Sequence, residues 1–154
     1  MARVEEANRR DFNQAGGFCA PGYANNLPVQ YVSSAAIVAL HRWAGGGPAA
    51  RSFPQLQKGP DGKQPPVDEH GNTLGGLRTP WVDVPIARYD WQGECTGGSG
   101  RTYPFPPDKL RTLYKTPAAY LAKFTAATLQ AQKMGVLLPQ DAEDAVRAAA
   151  LIAW

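Results

Sequence analysis

The apolar positions of the chain fall into helical periods in one early segment and at the C-terminal end, and follow no regular period in between. From Val29 to Ala44, the residues Val32, Ala36, Ala39 and Trp43 share one face, with Leu40 and Ala35 on its flanks and His41 opposite. This predicts an amphipathic helix over 29–44, stopped by Gly45-Gly46-Gly47-Pro48. A short helix is expected from Pro107 through Tyr114, where proline suits the first position and Asp108 the positive end, with Leu110, Leu113 and Tyr114 inward. Thr116 then caps a longer helix that starts at Pro117 and is striped by Tyr120, Phe124, Ala127, Ala131 and Met134. Gly135 suits its end. Leu137-Leu138-Pro139 opens a last helix striped by Ala142, Ala145, Val146, Ala149 and Ile152, expected to fold back antiparallel on the one before it.

The middle of the chain is punctuated rather than periodic. Ala49 to Val67 is rich in proline and glycine, with Phe53 and Leu56 as isolated anchors, which is the composition of a connecting loop. Asp68 to Tyr89, DEHGNTLGGLRTPWVDVPIARY, holds turn signals at His70-Gly71-Asn72 and Gly75-Gly76, and then alternates loosely between apolar and charged residues. Pro80 and Pro85 each remove a backbone donor and rule out a central strand, so this segment reads as an extended, half-buried strap anchored by Trp81. Tyr89 to Phe105 holds a glycine cluster between aromatics and reads as a mobile loop. Met1 to Pro28 reads as a loop with a short helix through Val4 to Arg10. The expected architecture is mainly α with long irregular loops, one domain or part of one, divided into 1–28, 29–44, 45–106 and 107–154.

Composition narrows this picture. At 154 residues the chain has room for one domain with a modest core, and its 16 glycines and 14 prolines commit much of it to turns. The formal charge of +3 is spread along the chain, which argues against nucleic acid as a partner; the basic residues from Arg101 to Lys123 read as a solvated face. No apolar run approaches the ~18 residues of a membrane span. Met1 to Gly17 lacks the apolar core of a signal peptide, so a true start at Met1 implies a cytoplasmic chain, whereas a piece of a longer protein leaves the compartment open. Cys19 and Cys95 lack the spacing and histidine neighbours of a zinc site, and no metal is expected. The pair permits one disulfide, which a reducing cytoplasm would keep open.

Three ordered motifs carry a resemblance: "DEHGNTLGGLRTPWVDVP", "PFPPDKLRTLY" and "GVLLPQDAEDAVRAAA". They resemble the C-terminal part of a family of α/β-hydrolase-domain proteins with a D-x-x-G-N-x-x-G-G-[LIV]-R-x-P-x-V-x-x-P strap, a Pro-Phe turn and a terminal helix after Leu-Leu-Pro. "YVSSAAIVALHRW" is similar to the helix that the family places upstream. The resemblance implies the C-terminal part of an α/β-hydrolase fold without its central sheet, and a serine hydrolase acting on a carboxylic ester or similar acyl substrate with no cofactor.

The chemistry for that reaction is absent from the expected places. A nucleophile elbow needs G-x-S-x-G, with the serine on a strained turn beside backbone donors. Gly97-Gly98-Ser99-Gly100 is followed by Arg101 and reads as a glycine loop, and Ser33 and Ser34 lie in a helical pattern without flanking glycines. Of the two histidines, His41 reads as a solvated surface residue and His70 as the tip of a turn, with a catalytic role open to the latter. The chain therefore reads as the last third of a hydrolase, inactive by itself and completed by an upstream portion. Arg78, Asp83 and Arg88 are the candidates for a substrate-pocket rim, and an ion pair within the chain is the plainer role for them. A different class of reading is a stand-alone interaction module that buries the 29–44 helix against another protein or in a homodimer.

Overall fold

The structure is a computed structural model that describes residues 25–60, 62, 65–90 and 100–154. Helix α1 spans Val29–Ala44, α2 Pro80–Asp83, α3 Pro107–Tyr114, α4 Pro117–Lys133 and α5 Pro139–Ala149. Among the described residues the one sheet is a pair of short antiparallel strands, β1 (Ala87–Tyr89) and β2 (Thr102–Pro104). The protein is thus mainly helical. No helix among the described residues is long and apolar enough to cross a membrane. The helix expected over Val4 to Arg10, the glycine string from Gly97 to Ser99, and both Cys19 and Cys95 lie outside the described residues.

The C-terminal helices build the core. The Thr116 side chain accepts the Ala119 N–H at 3.1 Å, satisfying one of the donors that a helix start leaves free, and Pro117 occupies the first turn of α4 where no donor is needed. Gly135 takes φ +76 just past α4, and the chain reverses so that α5 packs back on α4. Tyr120 and Phe124 on α4, Ala145 and Ala149 on α5, Leu110 and Tyr114 on α3 and Phe105 form one buried cluster. Ala131, Val136, Leu137 and Ala142 form a second beside it.

Trp81 joins these clusters. It packs against both, stands edge-on to Phe124 with ring centroids 5.7 Å apart, and stacks on Tyr31 of α1, also at 5.7 Å. Offset and edge-on aromatic pairs add about 0.5–1.5 kcal/mol each beyond burial of area. The strap that carries Trp81 is not extended throughout, as its prolines suggested. Thr79 is extended, and Pro80 then opens the single turn of α2, closed by the Val84 N–H on the Pro80 carbonyl. The proline that excludes a central strand is the residue best suited to begin a helix.

Two other expectations are corrected. The segment from Tyr89 to Phe105 is not a plain loop: Ala87 pairs with Pro104, Arg88 with Tyr103 and Tyr89 with Thr102. Three residues per strand are too few to show an alternation in sequence. On α1, the face expected from Val32, Ala36, Ala39 and Trp43 docks only in part. Tyr31 and Val32 pack on the second cluster, Ala35 is the residue of α1 that is buried, and Ala36 and Trp43 face solvent. The Tyr31–Trp81 stack rotates the helix toward its aromatic end and leaves Ile37 67% and Trp43 57% exposed.

Candidate functional site

The strap folds around a few polar residues that bind one another. At its start, the Asp68 carboxylate accepts the N–H groups of His70 and Asn72, both at 2.9 Å, in a turn that Gly71 allows at φ +83. Asn72 is 1% exposed. Its Oδ1 accepts the Tyr89 N–H at 2.8 Å and its Nδ2 donates to the Ala87 carbonyl at 3.4 Å, so one side chain clasps the turn to β1. Gly71 lies directly beneath the Arg88 side chain, where a Cβ would come within 2.5 Å of Arg88 Cδ. The Arg88 guanidinium then sits over the Tyr103 ring at 4.1 Å.

Arg78 is the second node. Its Nε donates to Asp83 at 2.6 Å, one terminal nitrogen to the Thr73 carbonyl at 3.1 Å, and the other to Asp68 at 3.1 Å and the Val82 carbonyl at 3.2 Å. Partial burial alone would raise the Asp68 carboxyl. The Asn72 amide, the Arg78 guanidinium and the His70 amide outweigh it and hold Asp68 below the usual carboxylate range. Burial likewise disfavours the charged Arg78, and its two carboxylate partners more than offset that. Asp68 and Asp83 are fifteen positions apart in sequence, with no spacing that marks them as a pair, and they meet only because the strap turns back across Arg78.

Beside this node the strap and the loop through Leu56 line a half-open cavity of about 360 Å³. The loop is fastened by a bridge between Leu56 and Gly75 and by the Gln57 N–H on the Leu74 carbonyl at 3.2 Å. Gly75 at φ +80 makes this approach possible, because a Cβ there would lie 2.5 Å from the Gln55 carbonyl oxygen. Leu27, Leu56, Leu77 and Val82 supply apolar walls, and Asn72, Arg78 and Tyr89 reach the lining. Burial pushes the Tyr89 phenol well above its ordinary value of 10.0.

Of the rim candidates, the structure brings Arg78 and Asp83 together and places Arg78 in the cavity lining, while Arg88 lies across the strap on Tyr103. His70 is half-buried, 3.7 Å from the Glu69 carboxylate, with its ring 6.2 Å from that of Phe105. His41, Ser33 and Ser34 are exposed on α1, and the Ser33 hydroxyl donates to the Val29 carbonyl at 3.1 Å, an ordinary contact within a helix turn. Sequence reasoning missed Asn72 and Tyr89 as parts of the site. An asparagine after a turn glycine gives no sign in sequence of being buried.

Among families of known proteins, the one described as alpha/beta hydrolase domain matches residues 2–147 of the chain. No curated protein and no solved structure matches it.

Proposed function

The chain belongs to the alpha/beta hydrolase domain family, and from that premise we propose that it supplies the wall of the acyl-binding pocket in a unit that hydrolyses a carboxylic ester or similar acyl substrate. The observation that carries this reading is the apolar cavity of about 360 Å³ beneath the strap, with Arg78 in its lining. Its size is that of a small-molecule site, for which the usual range is about 300–1,000 Å³. Arg78 forms the rim, Asp83 holds its guanidinium in place, and Arg88 stiffens the strap from the other side through Gly71 and Tyr103. The nucleophile comes from sequence beyond this chain, because no G-x-S-x-G string occurs in residues 1–154. The chain is then a C-terminal portion of the hydrolase, inactive by itself.

The test has two parts. The chain alone, treated with a fluorophosphonate probe and with a nitrophenyl ester, is expected to show neither serine labelling nor turnover. The same chain extended by the coding sequence that precedes Met1 is expected to show both. Arg78→Ala in the extended protein should raise KM, with thermal unfolding followed alongside. A labelled serine within residues 1–154 would overturn the assignment of the nucleophile, and unchanged kcat and KM would remove Arg78 from the rim.

A second reading rests on α1. Val29, Ile37, Leu40 and Trp43 are all more than half exposed on this helix, an apolar surface that a partner protein or a second copy would cover in a stand-alone interaction module. Sedimentation separates the two: a monomer at high micromolar concentration argues against a homodimer, and a defined dimer argues for it.

A further inference from the structure

We infer that the cavity beneath the strap recognises a free carboxylate at the end of an apolar chain, so that the acyl substrate is the half-ester of a dicarboxylic acid, its carboxylate in the cavity and its ester group left for the nucleophile. This deepens the hydrolase reading and rests on it for the identity of the ligand as a substrate. Among the described residues, the charged side chains of the lining are Arg78 and Lys58, both cations, and no carboxylate lines the cavity. Asp68 and Asp83 hold the Arg78 guanidinium and offset its charge, but neither reaches the lining. Lys58 is the cation left over, exposed and without an ion pair among the described residues. The charge that an entering group meets is therefore positive, and Lys58 supplies it.

The neutral donors of the lining favour the same ligand. Gln57, Thr73 and Tyr89 are bonded through their backbone atoms, and among the described residues their side chains make no hydrogen bond. An amide NH2, a hydroxyl and a phenol can each donate to a carboxylate oxygen, and burial keeps the Tyr89 phenol protonated for that purpose. A guanidinium offers five N–H donors, and four of those on Arg78 are engaged by Asp83, Asp68 and the carbonyls of Thr73 and Val82. The fifth belongs to the nitrogen that bonds Thr73, itself a lining residue. Hydrogen bonds to an ionised acceptor are roughly twice as strong as neutral ones, so these donors answer a carboxylate better than the carbonyl of a neutral ester. Leu27, Leu56, Leu77 and Val82 give the methylene chain an apolar wall, a contribution that both ligands share.

The experiment is a ligand-observed NMR titration of the full chain at neutral pH with monomethyl adipate, ionised at that pH, and with dimethyl adipate. The half-ester is expected to bind at least about fivefold more tightly, and added salt to narrow the difference. Lys58 is exposed, so Lys58→Glu is expected to leave thermal stability unchanged, to weaken the half-ester by about fivefold or more and to keep the diester within about twofold. Equal or tighter binding of the diester by the native chain, no binding of the half-ester, or a half-ester affinity indifferent to Lys58→Glu would each overturn the inference. In the extended protein, half-ester binding without turnover would leave the carboxylate recognition standing and overturn the hydrolase reading. Turnover of the diester there with a kcat/KM equal to that of the half-ester would do the reverse.

Discussion

The side-chain carbonyl of Asn72 accepts the Tyr89 backbone N–H at 2.8 Å, and through that bond the turn at the start of the strap is held to β1. Replacing Asn72 with Ala leaves the Tyr89 donor and the Ala87 acceptor without a partner in a site that is 1% exposed. An unmade buried hydrogen bond costs about 1–3 kcal/mol. Urea unfolding of Asn72→Ala should show a loss in that range. Asn72→Asp should retain part of the stability, because an oxygen still faces the Tyr89 N–H.

Asp68 makes the fold sensitive to acid. Its carboxyl titrates below the ordinary 3.8 in the folded chain, so folding binds fewer protons than the unfolded state does. The contribution is complete above the unfolded value and is lost as pH falls through the folded one. Stability should decline below about pH 4, and Asp68→Asn, already weaker at neutral pH, should show a shallower decline. The comparison is a set of unfolding midpoints taken from neutral pH downward.

At the alkaline end the tyrosines act in the opposite sense. Tyr114 is buried, its hydroxyl donates to the Pro85 carbonyl at 2.8 Å, and burial pushes its pKa up from 10.0 to about 12. A raised folded value gives stability that is full below the unfolded pKa and is lost as pH rises from 10.0 toward about 12. Tyr89 and Tyr120 shift the same way through burial. The phenolate absorbance of Tyr114, read as the difference between the native chain and Tyr114→Phe, should therefore rise together with unfolding. A rise of that difference ahead of any loss of helix signal would contradict the buried placement of Tyr114.

Two glycines with nearly equal φ separate conformational cost from collision. Gly135 takes φ +76 with open space around a would-be Cβ, so Gly135→Ala should cost only the ~1–2 kcal/mol of a left-handed alanine. Gly75 takes φ +80, but its Cβ would meet backbone of Gln55 and Gln57 at 2.5 and 2.9 Å. Neither atom can swing away as a side-chain tip can. Gly75→Ala should cost more than Gly135→Ala and should also lower ligand affinity, since the Leu56 loop must move.

The exposed face of α1 and the core should answer oppositely to truncation. Phe124→Ala, at 1% exposure, should cost ~3–5 kcal/mol. Trp43→Ala, at 57% exposure, should change stability by no more than about 0.5 kcal/mol. A large loss for Trp43→Ala in dilute solution would mean that the α1 face is covered there.

Helical repeats by themselves determined the C-terminal third, because the stripes of Tyr120 and Phe124 and of Ala142, Ala145 and Ala149 coincide with a cap at Thr116 and a stop at Gly135. Local propensity and burial agree there. The strap motif was legible as a unit too, and with it the membership of a hydrolase family. Tertiary structure alone decided which face of α1 docks, since a short period allows several faces and the Tyr31–Trp81 stack selects one. It alone paired β1 with β2 across residues 91–99, where three pairs leave no periodic trace. The site was hidden for the same reason. Asp68, Asn72, Arg78, Asp83 and Tyr89 follow no chemical spacing along the chain, and they converge because three positive-φ glycines let the backbone double back on itself, bringing charges and amides that are distant in sequence within hydrogen-bonding reach.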